Sequence, residues 1–515
     1  MSRQIITTTR RGVLGLAAAA AMGVDSRAAA SDGRLTIAAH VSLAPTWFDP
    51  AETAGIITPF LLLYAMHDGV AKAMPGNSMA PSLAESWSMA ADGLSYDFVL
   101  RPGVKFHNGE TMTAEDVKFS FERYRGTSHD VLHDRVASVE IPEPLRVRFH
   151  LKAPWPDFLT FYTAASGAGW IVPKKYVEQI GDEAFKKAPI GAGPYKFVSF
   201  RPGVALELEA HEDYWRKKPA VKHITFKVIP DESTRLAALQ RGEVDMALSI
   251  RGELAEEVTR TPGLTLKPTV GSAPYWIYFS EQWDPKSPQH DLRVRQAVSL
   301  SIDRKTMNEA LTLGFSHLTG SLFPENFDFY WQPPAPVYDP GRAKKLLAEA
   351  GFPNGFDAGD YYCDSAYSNL AEVALNNLQE IGVKVRLRPL ERAAFFKGYA
   401  EKKMKGFIQG ASGAFGNVAT RAESFVVKDG TYVYGDYPEI DALFAQQAGE
   451  LDRGKRTELL RQLQQIVYDK VIYTPLWQLA FISAVGPRVD QSGMGLIKGF
   501  VYPAPYEEIT LKTHT

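Results

Sequence analysis

Apolar and polar residues alternate with a period of two along short segments in the first part of the chain. In Tyr96–Leu100 every second residue is large and apolar or aromatic, which predicts a half-buried strand, and Arg101–Gly103 supplies a turn after it. Thr113 and Asp116 have the spacing of a capping box, which predicts that a helix begins there. The first third of the chain is therefore predicted to mix helices with antiparallel strands.

Two later segments have the strand–helix–strand pattern of a parallel unit. The first combines strand-like residues at Ile224–Val228, a helix from Ser233 and strand-like residues at Val244–Leu248; the second combines Ala358–Cys363, Leu370–Ile381 and Val383–Leu387. Two parallel strands need a crossover of this length, which is usually a helix. The pattern therefore predicts the α/β class.

The composition is that of a water-soluble globular protein with roughly two to four domains. Of 515 residues, 45% are apolar and 23% charged, and no run beyond the first thirty residues is apolar enough to cross a membrane. The formal net charge of −2, with dispersed Lys and Arg, argues against a nucleic-acid partner. Cys363 is the single cysteine, so the chain can form neither an internal disulfide nor a multi-thiolate metal site.

The N-terminus has the layout of a secretory signal. Arg10 and Arg11 precede a short apolar run, Val13–Val24, and the small residues Ala28–Ala30 follow as a cleavage region. Paired arginines indicate a signal peptide of the twin-arginine type over residues 1–30, and the alternative is a disordered, alanine-rich tail. Because the cleavage region has no cysteine, we expect a free periplasmic protein without a lipid anchor.

Catalytic signatures are missing from the sequence. It has no Gly-x-Ser-x-Gly elbow, no His-Glu-x-x-His pair, no phosphate loop and no Gly-x-Gly-x-x-Gly fingerprint. His129 and His133 are four residues apart, but their polar surroundings favour a solvated segment over a metal site. We therefore predict a protein that is not an enzyme and that uses neither a metal nor another cofactor.

Several motifs, in the same order along the chain, resemble those of the family 5 extracellular solute-binding proteins, a family that includes dipeptide-, oligopeptide- and nickel-binding subunits. The matching segments are Ala80–Trp87 (P-x-L-A-E-S-W), Arg101–Gly109, Thr113–Val117, Gly191–Tyr195 (G-T-G-P-Y) and Asp291–Arg304 (D-x-R-V-R-Q-A…I-D-R). Each motif is weak alone, but together they extend over nearly all of residues 35–490. Tight turns, a helix cap and chain reversals explain most of these segments without any ligand contact.

The resemblance implies an α/β, two-lobe periplasmic binding protein fold of type II, with an extra subdomain inserted in lobe one. Hinge closure then encloses the ligand between the lobes. The expected division is a signal peptide at 1–30, lobe one at 31–65, the inserted subdomain at 66–185, lobe one again at 186–270, lobe two at 271–482 and a lobe-one C-terminal tail at 483–515.

The same resemblance implies the role of substrate-binding subunit in an ABC importer. The expected partners are a small-molecule or short-peptide ligand, permease subunits in the inner membrane and the ATPase subunits, with the protein itself a monomer. The ligand class is a peptide-like or other small polar or anionic solute, for which an opine or a sugar conjugate is an option. Two alternatives stay open: a ligand-binding receptor for chemosensing, and a secreted hydrolase of unrecognised type.

Candidate ligand-binding residues come first from topology, because parallel α/β lobes bind ligands at the carboxyl ends of their strands. In lobe two this rule selects Asp364, Ser365 and Tyr367, directly after a predicted strand. The strands expected to cross between the lobes add Tyr275, Trp276 and Trp477. Each of these three aromatic residues is predicted either to line the cleft or to belong to the core.

The segment Gly410–Asn417 supplies the other candidates: Ser412, Gly413, Phe415 and Asn417, with Arg421 nearby. In peptide-binding relatives this region resembles G-W-x-x-D, in which the tryptophan packs on the ligand and the aspartate meets the ammonium group of the peptide. Here neutral residues occupy those places, so a peptide ammonium group would stay unpaired in a closed cleft. The segment therefore favours a neutral or anionic ligand. Nickel is disfavoured because histidine is sparse near these positions. Arg421 is either a cation that binds the ligand or a solvated surface residue.

Overall fold

The computed structural model describes residues 33–53 and 57–512, so the predicted signal peptide lies outside the described residues. The strands are β1 Arg34–Ala39, β2 Ala71–Met74, β3 Asn77–Pro81, β4 Ala84–Met89, β5 Ser95–Leu100, β6 Val136–Glu143, β7 Arg146–Leu151, β8 Tyr195–Arg201, β9 Ala205–Ala210, β10 His223–Val228, β11 Met246–Ala247, β12 Thr265–Phe279, β13 His317–Leu318, β14 Phe356–Asp364, β15 Val383–Leu390, β16 Phe407–Ala411, β17 Tyr473–Val485, β18 Val489–Gln491 and β19 Thr510–Leu511.

The α-helices lie between these strands and give the chain its α/β character. They are α1 Phe60–Met66, α2 Ala114–Glu122, α3 His129–Arg135, α4 Lys174–Ile180, α5 Asp182–Phe185, α6 Glu232–Gln240, α7 Gly252–Arg260, α8 Leu292–Ser301, α9 Arg304–Thr312, α10 Pro340–Glu349, α11 Ser368–Glu380, α12 Arg392–Ala400, α13 Val418–Phe425, α14 Pro438–Ala448 and α15 Arg453–Asp469.

One large mixed sheet extends through both lobes in the order β15-β14-β16-β12-β17-β11-β1-β10-β9-β8, and β13 pairs with β17 beside this path. We call the β1, β8–β11 end lobe one and the β14–β16 end lobe two. The long strands β12 and β17 belong to both. Their antiparallel pairing is interrupted between Val270 and Pro274, where the chain passes from one lobe to the other. The predicted two-lobe α/β fold is confirmed.

The two strand–helix–strand units differ in their pairing. In the second unit β14 and β15 pair directly and in parallel, as the sequence predicts. In the first unit β10 and β11 are parallel but not adjacent, because β1 lies between them and pairs with both. The two strands of this unit are therefore parallel, as predicted, but they do not pair with each other. The predicted strand at Val244–Leu248 is also reduced to the two residues of β11.

A separate antiparallel sheet, β4-β5-β7-β6, forms the body of the inserted subdomain. Phe98, Phe149 and Tyr162 pack at its centre with residues of α2. Helix α2 begins with the predicted capping box, in which the Thr113 and Asp116 side chains meet the reciprocal backbone N–H groups. The subdomain therefore has a core of its own, while the predicted domain boundaries stay a prediction.

The core of lobe one combines segments from the two ends of the described chain. Helix α1 is buried at every position and packs against the sheet together with the C-terminal tail. The Tyr506 hydroxyl donates to the Leu61 carbonyl at 2.9 Å, and Tyr64 contacts Phe500. Lobe two has two hydrophobic clusters, one containing α8 and α11 and the other containing α13–α15.

Gly193 marks the point at which the chain returns from the subdomain to lobe one. A Cβ atom at this residue would lie 2.5 Å from the Met66 carbonyl carbon and 2.5 Å from the His67 nitrogen. Both atoms are backbone at the end of α1, so they cannot move aside as a flexible side chain could. Only glycine fits here without displacing the helix end.

We predict that Gly193→Ala lowers the free energy of unfolding by about 1–3 kcal/mol, because overpacking forces backbone shifts. Urea unfolding followed by circular dichroism measures the change. Gly341→Ala is the matched control, since Gly341 is exposed on α10 and the nearest atom to its added Cβ lies 3.4 Å away. Equal midpoints for Gly193→Ala and the wild type would contradict the prediction.

Candidate functional site

Two small cavities face lobe two: one lies beside the crossing strands, and the other lies against the subdomain. We call the first the Asp364 cavity; its volume is about 40 Å³. It is lined by Ile57, Ala273, Tyr275, Asp364, Tyr367, Arg392, Phe395, Phe396, Gln409, Gly410, Ala411, Gly413, Phe481 and Tyr502. Ile57 and Tyr502 come from lobe one and most of the others from lobe two. A cavity of this size holds a few water molecules, so a larger solute requires the lobes to part.

A buried salt bridge stands in the wall of the Asp364 cavity. Arg392 Nη2 lies 2.9 Å from Asp364 Oδ2, and Arg392 Nη1 donates to Thr58 Oγ1 of lobe one at 2.8 Å. Burial alone would lower the pKa of Arg392, but Asp364 and neighbouring tyrosines outweigh burial and raise it above its ordinary value. Arg392 is therefore charged, and its hydrogen bond to Thr58 connects the two lobes directly.

The second cavity, which we call the Arg421 cavity, has a volume of about 30 Å³ and lies between the subdomain and lobe two. It is lined by Thr127, Ser128, Phe161, Ala165, Ser412, Ala414, Phe415, Thr420, Arg421, Ser424, Phe425 and Tyr432. Hydroxyl groups and aromatic rings make up most of this wall. Arg421 is its only charged side chain among the described residues.

Arg421 is a buried cation without a carboxylate partner in the part of the chain that the structure describes. Its side chain is on α13, and the residue is only 3% exposed. Nη2 donates to the Ala414 carbonyl at 3.2 Å, and Nη1 has no hydrogen-bond partner. The Phe327 and Phe425 rings lie 5.3 and 5.6 Å from its guanidinium carbon. Burial lowers the pKa of Arg421 to about 9, which leaves it charged at neutral pH.

The segment between the two cavities packs directly on lobe one. Phe415 contacts the rings of Phe60 and Phe500. A Cβ atom at Gly413 would lie 3.0 Å from the Ile57 side chain and 3.4 Å from that of Ala273. A small residue at this position therefore allows lobe one to approach closely.

Polar bonds also join the subdomain to lobe two. Asp157 of the subdomain accepts from Asn417 Nδ2 at 2.7 Å and from Arg456 Nη2 at 2.6 Å. Arg135 Nη2 donates to Glu423 Oε1 at 2.5 Å. Together with Arg392, these contacts hold the lobes in a closed arrangement.

The structure brings seven of the eleven predicted site residues to the cavities. Tyr275, Asp364, Tyr367 and Gly413 line the Asp364 cavity, and Ser412, Phe415 and Arg421 line the Arg421 cavity. The alternative of Arg421 as a solvated surface residue is wrong, because the residue is buried. Ligand binding by these seven residues stays a prediction.

The other four predicted residues lie elsewhere. Trp276 follows Tyr275 on β12 and so points to the opposite face of the sheet, into the lobe-two core around Phe425 and Tyr473. Trp477 belongs to the core on the other face. Ser365 is exposed, and Asn417 caps α13 through its side-chain oxygen. None of these four lines either cavity.

Sequence reasoning missed Arg392 and Tyr502, which both line the Asp364 cavity. Arg392 begins α12 just after the carboxyl end of the parallel strand β15. The same topological rule that selected Asp364 would have selected it. No sequence pattern around Tyr502 predicts a site residue, because only the return of the C-terminal tail to lobe one brings it to the cleft.

Metal-ligating side chains do not cluster in threes anywhere in residues 33–53 and 57–512. Over the same ranges, none of the helices combines the length and apolarity that a membrane span requires. His129 and His133 stack on each other, with ring centroids 4.3 Å apart, at one edge of the subdomain.

Comparisons with known proteins agree with this architecture. The profile of the family described as "Bacterial extracellular solute-binding proteins, family 5 Middle" matches residues 78–432. Heme-binding protein A of Haemophilus influenzae is 28% identical over 454 residues, which cover 79% of this chain and 80% of that protein.

Two solved structures share the fold at low identity. DppA of Helicobacter pylori, in complex with the peptide STSA, superposes with a TM-score of 0.81 at 22% identity and covers 93% of this chain and 98% of its own. AgaA of A. tumefaciens R10, in complex with agropinic acid, superposes with a TM-score of 0.80 at 23% identity and covers 94% and 99%. These likenesses establish the fold.

The contact between Arg135 and Glu423 gives the closed protein a pH dependence. Burial raises the pKa of Glu423 from its ordinary 4.5 to about 7, and Arg135 opposes this shift only in part. Between these two values the folded protein holds a proton that the unfolded chain has released. The free energy of unfolding therefore falls as the pH rises through this window, and the contribution of Glu423 becomes constant above it.

We predict that Glu423→Gln removes this slope, which amounts to at most about 1.4 kcal/mol per pH unit. Urea unfolding at pH 5, 6, 7 and 8 should show the variant gaining stability relative to the wild type up to pH 7. Glu458→Gln is the control, because Glu458 is exposed on α15 and its pKa is lowered to about 2 by Arg461. Parallel profiles for the wild type and Glu423→Gln would contradict the prediction.

Proposed function

We propose that this chain, which belongs to family 5 of the bacterial extracellular solute-binding proteins, captures a small acidic solute in its cleft. It is a substrate-binding subunit of an ABC importer, a role that it shares with the proteins it resembles. Such a subunit delivers its ligand to the permease. The class of solute is the open question, and Arg421 is the observation that supports an acidic one.

A buried guanidinium without a carboxylate partner is expensive to keep. Removing a charge from water costs several kcal/mol unless a counter-charge or hydrogen bonds compensate. One unmade hydrogen bond to a buried group by itself costs about 1–3 kcal/mol. Arg421 makes one bond to a backbone carbonyl and faces a cavity. A carboxylate bound in that cavity would pair with Nη1 and offset the cost.

The lining of the Arg421 cavity argues further for an acid and against an amine. Ala411 and Ala414 occupy the segment in which peptide-binding relatives resemble G-W-x-x-D, and no Asp or Glu is among the residues lining this cavity. The ammonium group of a dipeptide would therefore lose its hydration without gaining a counter-charge. Hydroxyl groups of Ser128, Ser424 and Tyr432 suit the polar body of a hydroxylated acid. AgaA, which shares the fold, has an acid, agropinic acid, as its ligand.

We predict that a hydroxylated organic acid binds and that ordinary dipeptides do not. Isothermal titration calorimetry with agropinic acid, aldonic acids and a dipeptide panel tests this prediction. A charged hydrogen bond is worth about 1.5–3 kcal/mol, so Arg421→Met should weaken binding of the acid about 10- to 100-fold. Micromolar binding of dipeptides, or unchanged affinity of the acid in Arg421→Met, would contradict the proposal.

We also predict that Arg421→Met changes the melting temperature of the protein. Without ligand, Arg421→Met should melt at a higher temperature than the wild type, because it replaces an uncompensated buried charge with an apolar side chain of similar length. Arg453→Met is the matched control on α15, since Arg453 is exposed and paired with Asp328. A structural role for Arg421 predicts the opposite sign, a lower melting temperature with loss of binding by unfolding.

We also propose a periplasmic location, reached by twin-arginine export, and capture of the solute without chemical conversion. Membership in a family of extracellular binding proteins supports the location outside the cytoplasm and capture without conversion. The paired arginines Arg10 and Arg11 support the export route. Replacing Arg10 and Arg11 with lysine should retain a tagged protein in the cytoplasm, whereas Arg3→Lys, further from the apolar run, should not. Cell fractionation measures the distribution. Undiminished periplasmic protein in the double variant would point to the general secretory route instead.

A further inference from the structure

Three buried arginines and a histidine meet at the boundary between the lobes, next to the Asp364 cavity. Arg235 on α6, Arg251 just before α7 and His40 just after β1 belong to lobe one, and Arg392 on α12 belongs to lobe two. All four are less than 10% exposed. We call Arg235, Arg251, Arg392 and His40 the arginine cluster.

The cluster is organised around the Tyr367 ring, which lines the Asp364 cavity. The guanidinium carbon of Arg251 lies 4.8 Å from the centre of this ring and that of Arg392 lies 5.4 Å away. Arg251 Nη2 also donates to the Ala366 carbonyl at 2.7 Å, across the lobe boundary. The cluster therefore forms completely only when the lobes are closed.

Positive charge exceeds negative charge in the cluster. Glu232 lies 3.6 Å from Arg251, and Asp364 lies 2.9 Å from Arg392. Arg235 has only backbone carbonyls as its hydrogen-bond acceptors, at Ile229, Pro230 and Ser249. Three guanidinium groups thus have two carboxylates within 4 Å, and a third carboxylate, Asp231, acts on Arg235 from the exposed start of α6.

His40 adds no further charge. Its pKa is lowered well below the ordinary value by burial and by the charges of Arg392, Arg235 and Arg251. The neutral ring can donate one hydrogen bond and accept another. Its centre lies 6.0 Å from that of the Tyr502 ring, which lines the Asp364 cavity.

Unmade hydrogen bonds are concentrated at the same place. The Nε atoms of Arg235 and Arg392 and both ring nitrogens of His40 are buried without a hydrogen-bond partner among the described residues, and Arg251 Nε has only Glu232 Oε1, 3.6 Å away. Most buried polar groups in folded proteins are satisfied, so a group of unsatisfied donors calls for an explanation. An oxyanion would accept from several of these donors at once.

Closure makes the need for an anion stronger. It brings Arg392 of lobe two towards Arg235 and Arg251 of lobe one, and like charges repel strongly in a site that excludes water. An anion held between the lobes would turn this repulsion into attraction.

We infer that the arginine cluster is a second oxyanion subsite of the cleft, so that the natural ligand carries two acidic groups. This inference rests on the proposed function, in which Arg421 binds the first acidic group. The second group is a carboxylate or a phosphate, which share the oxygen acceptors and the negative charge that the cluster recognises. Both cavities are then parts of one binding site.

The test uses the full mature protein, α,ω-dicarboxylates of four to ten carbons, and the monoamide of each acid. One chain length should bind at least tenfold more tightly than its monoamide in calorimetry, because only the diacid fills both subsites. The matching phosphono-carboxylates identify whether the second subsite prefers phosphate-type oxygens.

Variants assign the second group to the cluster. Arg251→Gln and His40→Phe should each reduce the affinity of the diacid to that of its monoamide, while the monoamide binds as before. Arg251→Lys, which keeps the charge, should retain part of the difference. Arg260→Gln is the control, because Arg260 is exposed at the end of the neighbouring helix α7.

The outcomes separate the two claims. If no diacid binds more tightly than its monoamide, or if Arg251→Gln and His40→Phe leave the diacid unaffected, the second subsite is overturned and the Arg421 site stands. If Arg421→Met leaves every acid unaffected, or no acid binds at all, the proposed acidic ligand is itself overturned.

Discussion

The antiparallel pairing of β12 with β17 is the interaction on which the rest of the molecule depends. These two strands extend through both lobes and join what would otherwise be two sheets into one. The interruption of their register between Val270 and Pro274 lies beside the cleft, so any change in the angle between the lobes is concentrated next to the ligand. The alternation of side chains along β12 then determines which aromatic residue can meet a ligand: Tyr275 faces the cleft, and Trp276 is committed to the core.

Electrostatics makes the closed cleft selective. Burial removes water from Arg421 and from the arginine cluster, and within the described residues the cations there outnumber the carboxylates that face them. A cation entering such a cleft meets repulsion, and a neutral solute leaves the buried charges unpaired. Under the proposed function, a solute that brings its own negative charge is the one whose binding energy closes the lobes.

Much of the architecture could be predicted from the sequence, because short-range patterns determine it. The alternation in β5, the capping box of α2 and the direct pairing of β14 with β15 follow from neighbouring residues. The position of β1 between β10 and β11 could not be predicted from the sequence, because it depends on pairing between segments about two hundred residues apart. The order of strands in a sheet is a property of the whole fold.

The candidate site was predictable to a similar extent and for similar reasons. The strand-end rule found Asp364 and Tyr367, and the unusual Gly410–Asn417 segment led to Arg421. Its burial was not visible, because the residues that cover it, such as Phe327, come from a distant loop. His40 and Arg235 are remote in sequence from every candidate, and only closure of the lobes brings Arg392 to them.

The make-up of the lobe-one core limits the order in which the protein can fold. Strand β1 and helix α1 are made well before the tail residues that complete their core: Tyr506, which bonds to Leu61, follows it by 445 residues. The subdomain and lobe two are built from continuous stretches and can form while synthesis continues. Lobe one has to wait, with the apolar face of α1 uncovered, until Tyr502 and Tyr506 have been made. A chaperone that shields this helix would therefore be needed longest for the part of the protein that is made first.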